Sequence, residues 1–296
     1  MKSFLYFVNS KLPYDSIAIG KFDAMHDAHI KLLELIGDNG LALSIAQIKP
    51  PFITPPQERE KYTNIPCYRL RFDVIKSYSP LEFLKLILFV LPNLKRIVVG
   101  YDFCFGKNRA SSASDIKPLL VNIGKPQIEV IILESQKCNN MPIHTSIIKE
   151  LIKYGDIASA NSMLCRFYSI KGLVITGQGI GAKQLYPTIN IATTLYLLPK
   201  YGVYAGLCHI HGRTYKSAIF IGNRLSTDRK FCIECHIIED ISIKVLKGEQ
   251  ISISLIDRIR NNQKFEKLED LKVQISKDIA QIQVLLEDAE NQKYRD

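Results

Sequence analysis

At 296 residues the chain exceeds the length that one hydrophobic core usually serves, so two domains are expected. A composition of 47% hydrophobic and 23% charged residues, with no repeat or low-complexity stretch, excludes a disordered or fibrous protein. The formal net charge of +10 points to anionic partners, but Lys and Arg are interspersed with acids rather than gathered in a block, which argues against a nucleic-acid-binding arm.

In chain order, the apolar run 4–8 is too short for a signal-peptide core and lacks a small-residue cleavage site, so it predicts a first strand. A strand at 16–20, a helix at 27–36 and a strand at 41–47 follow. The most apolar stretch, 81–91, is interrupted by Glu82 and Lys85 and stopped by Pro92. It is too short to span a membrane and predicts a buried amphipathic helix over 80–91. Strands at 96–100 and 129–133 and a helix at 145–154 complete an alternation of β and α elements, the pattern of a parallel sheet with ligands beyond its strand C-termini. Tyr154-Gly155-Asp156 and a short helix with Ala158, Ala160 and Leu164 mark a junction. The expected division is 1–155, a linker helix at 156–168, and 169–296.

Beyond the junction the spacing tightens, with strands predicted at 169–176, 202–211, 214–221, 230–238 and 250–257, which reads as an antiparallel barrel or sandwich. Leu268, Leu271, Ile275, Ile279, Ile282 and Leu286 recur at three and four positions and predict a closing helix packed on it. Seven cysteines, an odd number without secretory context, predict reduced thiols and a cytoplasmic location.

Two regions carry candidate chemistry. The first strand-to-helix turn holds His26 and His29, where free backbone N–H groups and the helix dipole favour a phosphate. A second Gly-flanked loop, from Gly100 through Asp102 to Gly106 and Lys107, ends another strand. Alternatively, one histidine caps the helix and the other lies on its surface; zinc would need a third ligand that no pattern supplies. In the second half, Gly177, Gly179 and Gly181 let backbone N–H groups face a phosphate chain. The spacing is neither a dinucleotide fingerprint nor a Walker loop, and a plain surface loop is the alternative. Phe231-Cys232-Ile233-Glu234-Cys235-His236 reads literally as a C-x-x-C-H haem motif. Strand alternation, however, sends Cys232 and Cys235 to opposite faces and groups Cys232, Glu234 and His236 on one.

These segments resemble the bacterial bifunctional riboflavin kinase/FAD synthetases. Gly20 to His29 is similar to that family's G-x-F-D-G-x-H-x-G-H signature, with Ala24 and Ala28 in place of its glycines. Gly100 to Gly106 is similar to its G-x-D-F-x-F-G loop, and His144 to Leu151 stands where it has S-S-T-x-x-R. The resemblance implies adenylyl transfer from ATP to FMN, with His26 and His29 stabilising phosphate charge and Gly20, Phe22, Asp23, Asp102, Phe105, Gly106, Ser146 and Lys149 binding ATP. Pro187-Thr188-Ile189-Asn190 resembles the P-T-x-N motif of the riboflavin kinase barrel, Gly202-Val203-Tyr204-Ala205 its G-V-Y-A strand, and Glu234-Cys235-His236 its E-x-H. By resemblance Thr188 and Asn190 hold Mg²⁺, Glu234 is the general base, and Gly177, Gly179, Gly181 and Lys183 take the ATP phosphates. Arg258 and Arg260 match the family's R-x-R-x-x-x-K-F stretch and are implied contacts for flavin or product phosphate.

The expected fold is thus a Rossmann-like nucleotidyltransferase domain followed by an antiparallel riboflavin-kinase barrel with a C-terminal helix. The expected function is FMN and FAD synthesis with ATP, riboflavin and FMN as small-molecule ligands, Mg²⁺ as cofactor, and neither nucleic acid nor membrane as partner. A kinase with a degenerate first domain and a non-catalytic flavin-binding regulator are the alternatives.

Overall fold

In the computed structural model the chain forms two compact units, Met1–Thr145 and Ser146–Asp296. Residues 1–46, 49–177, 186–226, 228–239, 243 and 245–293 are described.

The first unit contains β1 (Lys2–Ser3), β2 (Ser16–Gly20), α1 (Asp27–Glu34), β3 (Gly40–Ala46), β4 (Cys67–Arg71), α2 (Phe72–Ile75), α3 (Pro80–Val90), β5 (Arg96–Gly100), the pair β6 (Cys104–Phe105) and β7 (Ser111–Ser112), α4 (Ile116–Asn122), β8 (Glu129–Leu133), and the pair β9 (Lys137–Cys138) and β10 (Met141–Pro142). Six strands form one wholly parallel sheet in the order β1-β4-β3-β2-β5-β8. Because β-strand side chains alternate, Ile17 and Ile19 enter one core with Phe83, Leu84 and Ile97, while Ala18 enters another with Leu32, Leu33 and Val98. Helix α3 starts where the sequence supplies both a Ser79–Glu82 capping box and a proline in its first turn.

Run 4–8 is not a strand. β1 stops at Ser3, and Phe4–Phe7 coils into a 3-10 turn. Phe4 is fully buried while Tyr6 is 80% exposed, and the Val8 and Lys11 N–H groups donate to the Leu5 and Phe7 carbonyls. Local bonds replace a sheet edge, an outcome that five apolar residues allow as readily as a strand. Gln47, expected to end the second strand of the sheet core, lies outside the described residues.

The second unit opens with α5 (Thr145–Tyr154) and α6 (Ile157–Leu164), the latter capped by the Asp156 carboxylate, which accepts from the Ser159 N–H. Then come β11 (Tyr168–Ile175), β12 (Ile189–Ala192), β13 (Gly202–Ile210), β14 (Arg213–Asn223), β15 (Phe231–Ile237), β16 (Gln250–Asn261) and α7 (Leu268–Lys293). The six strands close an antiparallel barrel in the order β11-β12-β15-β14-β13-β16. One set of alternating residues, among them Ile191, Tyr204, Ile219, Ile233 and Cys235, is buried at 3% exposure or less. On the other face, Val203 and Ala205 pack beneath Ile282 and Leu286 of α7, with Ala218 and Phe220 beside them. The helix therefore covers one stretch of the outer barrel wall. All seven cysteines are free thiols, and among the described residues no helix is long and apolar enough to cross a membrane.

Candidate active sites

The barrel register sets one residue from each strand into a single row. Ile175 pairs with Asn190, Asn190 with Glu234, Glu234 with Phe220, Phe220 with Val203, and Val203 with Arg260. All six line one cavity of about 550 Å³, together with Thr188. Their strand neighbours fill the barrel interior, so the row belongs to the outer face and the cavity lies between that face and α7, which contributes Leu271, Ile275 and Asp278. Asn190 and Glu234 make the row polar on one side of Phe220 and Val203, and Arg260 makes it polar on the other, a division suited to a ligand with a flat apolar body and a polar tail.

Geometry at the polar ends is tightly specified. Arg224 donates from Nε to Glu234 Oε1 at 2.9 Å, from Nη2 to Asn190 Oδ1 at 3.2 Å, and from Nη1 to Asp228 Oδ2 at 3.1 Å. The Cys232 thiol lies within hydrogen-bond reach of the same carboxylate. His236 Nδ1 lies 2.8 Å from the Pro187 carbonyl, and its ring meets Tyr186 edge-on at 5.2 Å, so the turn before Thr188 is held against β15. Gly177 is obligatory there: a Cβ would stand 2.3 Å from Asn190 Nδ2. Burial, with the nearby Glu234 carboxylate, pushes the Cys232 thiol up to about 12, so it stays neutral. At the other end, Arg260 donates from Nε to both Asp278 oxygens, at 3.0 and 2.9 Å, and Asp278 is 3% exposed.

Thr188 Oγ1 and Asn190 Oδ1 are hard oxygens of the kind that Mg²⁺ accepts. Asn190 Oδ1 accepts from Arg224 Nη2 with one lone pair and keeps a second for an ion. The residues present therefore fit the ion.

In the first unit the sheet order reverses between β2 and β5, whose last residues, Gly20 and Gly100, follow the register pair Ile19 and Val99. A crevice at such a switch point is where open α/β sheets bind ligands. His26 is the N-cap of α1: its Nδ1 accepts from the His29 N–H at 3.2 Å, so the proton of its neutral form belongs on Nε2. The two imidazoles stack with centroids 3.6 Å apart, and Phe22 meets His29 edge-on. Asp102 Oδ2 contacts His144 Nε2 at 2.7 Å. Ala24 is fully buried and is not among the residues with positive φ, so its methyl neither strains the backbone nor projects into solvent.

A family model described as Flavokinase: Riboflavin kinase matches residues 164–286. A bifunctional riboflavin kinase/FMN adenylyltransferase of Buchnera aphidicola subsp. Acyrthosiphon pisum is 33% identical, over 90% of this chain and 92% of that protein. The chain belongs to the bifunctional riboflavin kinase/FMN adenylyltransferase family. Its Bacillus subtilis member is 28% identical over 88% of this chain and 89% of its own. A solved structure from Streptococcus pneumoniae described as a macrolide-efflux protein shares the fold, with a TM-score of 0.80, 24% identity, and coverage of 94% of this chain and 96% of that one.

Against that family's motifs, the barrel brings Thr188, Asn190, Glu234, Gly177 and Arg260 to one cavity. Arg258 is not among its lining residues; it donates to the Tyr201 carbonyl at 3.0 Å and to Asn261 Oδ1 at 2.6 Å. Gly179, Gly181 and Lys183 lie outside the described residues. Gly20 ends β2, His26 and His29 open α1, and Asp102 follows β5, while Phe22 is buried in a core with Met25 and Leu32, Asp23 accepts from the Ile53 N–H, Gly106 packs on Pro80, and Phe105 is buried with Phe83 and Phe103. Ser146 and Lys149 lie on α5, at the start of the second unit.

Sequence reasoning missed three charged residues. Arg224 opens the run Arg224-Leu225-Ser226-Thr227, which stands where the family has R-P-T, but that match assigns it no role, because it and Asp278 act through contacts 10 to 34 and 18 positions away in the chain. Arg59, 1% exposed, donates to the Lys21 and Thr54 carbonyls and to Ser44 Oγ, and lies 3.7 Å from Asp23 Oδ1. It thereby ties the β2–α1 loop to the sheet.

Proposed function

We propose that the barrel unit phosphorylates riboflavin to FMN with Mg-ATP and that the α/β unit adenylates FMN to FAD, releasing pyrophosphate. The observation that carries this reading is the cross-strand row, which sets Asn190 beside Glu234 at one end of a cavity whose middle is apolar.

In the kinase step, Phe220 and Val203 face the ring system, and the ribityl chain runs toward Glu234. Its carboxylate accepts a hydrogen bond from the terminal hydroxyl at Oε2 and aligns that oxygen on the γ-phosphorus. As the new O–P bond forms, the bond from the γ-phosphorus to the β–γ bridging oxygen breaks, ADP leaves, and the hydroxyl proton passes to Glu234. Thr188 and Asn190 would hold Mg²⁺, which when bound neutralises charge on the β- and γ-phosphates. Arg260, fixed by Asp278, offers a cation at the far end of the row.

In the adenylyl-transfer step, an FMN phosphate oxygen attacks the α-phosphorus of ATP at the crevice between β2 and β5. His26 and His29, at the N-terminus of α1, donate to the phosphates as negative charge builds. The +10 charge suits such anionic substrates, and seven free thiols suit a reducing cytoplasm.

Incubation with riboflavin, ATP and Mg²⁺, followed by chromatographic separation, tests the whole reading. FMN and FAD are both expected. FMN alone would restrict the activity to the barrel, and neither product would leave a binding protein.

A further inference from the structure

Arg224 is the first residue beyond β14, in a loop that closes through its own N–H to the Lys230 carbonyl at 3.0 Å and through the Arg229 N–H to its carbonyl at 3.1 Å. Its backbone is fixed at the edge of the barrel, yet its side chain reaches back over β15 to β12. Each donor nitrogen meets an acceptor on a different element: Glu234 on β15, Asn190 on β12, and Asp228 in the loop itself. Asp228 is held in turn, since its Oδ1 accepts from the Lys230 N–H at 3.1 Å. Arg224 is 16% exposed and Glu234 23%, so the pair is largely shielded from water. Of the two polar neighbours of Glu234 on its own face, His236 is engaged with the Pro187 carbonyl, while Cys232, 3.7 Å from the Gly222 carbonyl, stays within hydrogen-bond reach of Glu234 and Arg224 as a neutral thiol.

We propose that Arg224 is a positioning residue for phosphoryl transfer, holding Glu234 by Oε1 so that Oε2 alone is presented to the alcohol, and fixing its spacing from Asn190. The proposal rests on the kinase reading above. A glutamate on a strand has three rotatable bonds and, unpaired, sweeps its carboxylate through many orientations. The guanidinium is planar, with donors in a rigid fork, so one residue can fix two partners at once. An ammonium at the same place reaches one of them but cannot hold both.

The test compares Arg224→Gln and Arg224→Lys with the wild-type chain. It measures kcat and KM for FMN formation, riboflavin affinity by quenching of flavin fluorescence, and FAD formation from supplied FMN. Displacing an aligned catalytic group costs roughly 100-fold. Arg224→Gln should therefore lower kcat for FMN about that much, with KM for riboflavin and ATP and the fluorescence affinity within about threefold, and FAD formation unchanged. Arg224→Lys should recover part of the loss, settling roughly tenfold below wild type. Asp228→Asn, which loosens Arg224 without removing it, should lower kcat severalfold and covers the case in which Arg224→Gln fails to fold.

A rise in KM at constant kcat would overturn the proposal in favour of a phosphate contact. So would full activity in Arg224→Lys, or unchanged kcat in Asp228→Asn. If the wild type makes FMN and Arg224→Gln keeps its kcat, the proposal alone fails. If the wild type makes none, the kinase reading fails and takes the proposal with it.

Discussion

Replacing Asp278 with Asn keeps its volume and removes its charge at a buried ion pair that ties α7 to the barrel. Arg260 donates from Nε to both carboxylate oxygens and pairs through Nη2 at 2.8 Å, while Gln274 donates to Oδ1 at 2.9 Å. Breaking a buried pair by neutralising one partner costs about 3–5 kcal/mol. Arg260 keeps 19% of its side chain exposed and can recover some hydration, which puts the expected loss near the lower end, about 3 kcal/mol. Hydrogen exchange of α7 and barrel peptides in the intact chain should show that loss as faster opening of α7, with peptides of the first unit unchanged. FMN formation should fall more than FAD formation from supplied FMN, because α7 and Arg260 both line the barrel cavity. The paired replacement Arg260→Met with Asp278→Leu should restore much of the stability but not the activity. A loss under about 1 kcal/mol for Asp278→Asn would refute the reasoning and leave the packing of Ile282 and Leu286 as what holds the helix.

Three further outcomes follow from the geometry. Gly177→Ala would drive a Cβ into the Asn190 amide; kinase activity should drop at least tenfold while the melting temperature of the chain moves by only a few degrees, and an unchanged rate would separate Asn190 from catalysis. Arg59→Met would remove three hydrogen bonds and the charge opposite Asp23 from the β2–α1 loop, costing about 3 kcal/mol in local stability and suppressing FAD formation ahead of FMN formation; equal suppression of both products would contradict its local role. His29→Ala should reduce adenylylation of FMN roughly 100-fold with riboflavin phosphorylation intact, and steady-state rates for each half-reaction decide the matter.

Much of this was legible in the residues. The central parallel strands could be read because sheets covered on both faces carry unbroken apolar runs, as at 16–20 and 96–100. The edge was harder. Residues 4–8 carry the same kind of run but satisfy their backbone in a turn, and Cys67–Arg71 hides a strand behind two arginines. Alternation correctly grouped Glu234 with His236 and set Cys235 on the interior face. What alternation could not supply was the pairing: that Asn190 stands across from Glu234 and Phe220 beyond it depends on register between strands, not on spacing within one. The same limit hid the role of Arg224, which the sequence offered only as the start of a run in place of R-P-T, and hid Asp278 altogether, because each derives its importance from a partner brought near by barrel closure or by the fold of α7.

In the proposed mechanism Glu234 aligns the alcohol for phosphoryl transfer at a site separate from the one that joins FMN to AMP. Glu234→Gln, assayed in parallel with riboflavin and with FMN as starting flavin in the presence of Mg-ATP, addresses it most directly. FMN synthesis should fall by at least about 100-fold while FMN is still converted to FAD at the wild-type rate. Retained FMN synthesis, or matching losses in both reactions, would contradict it.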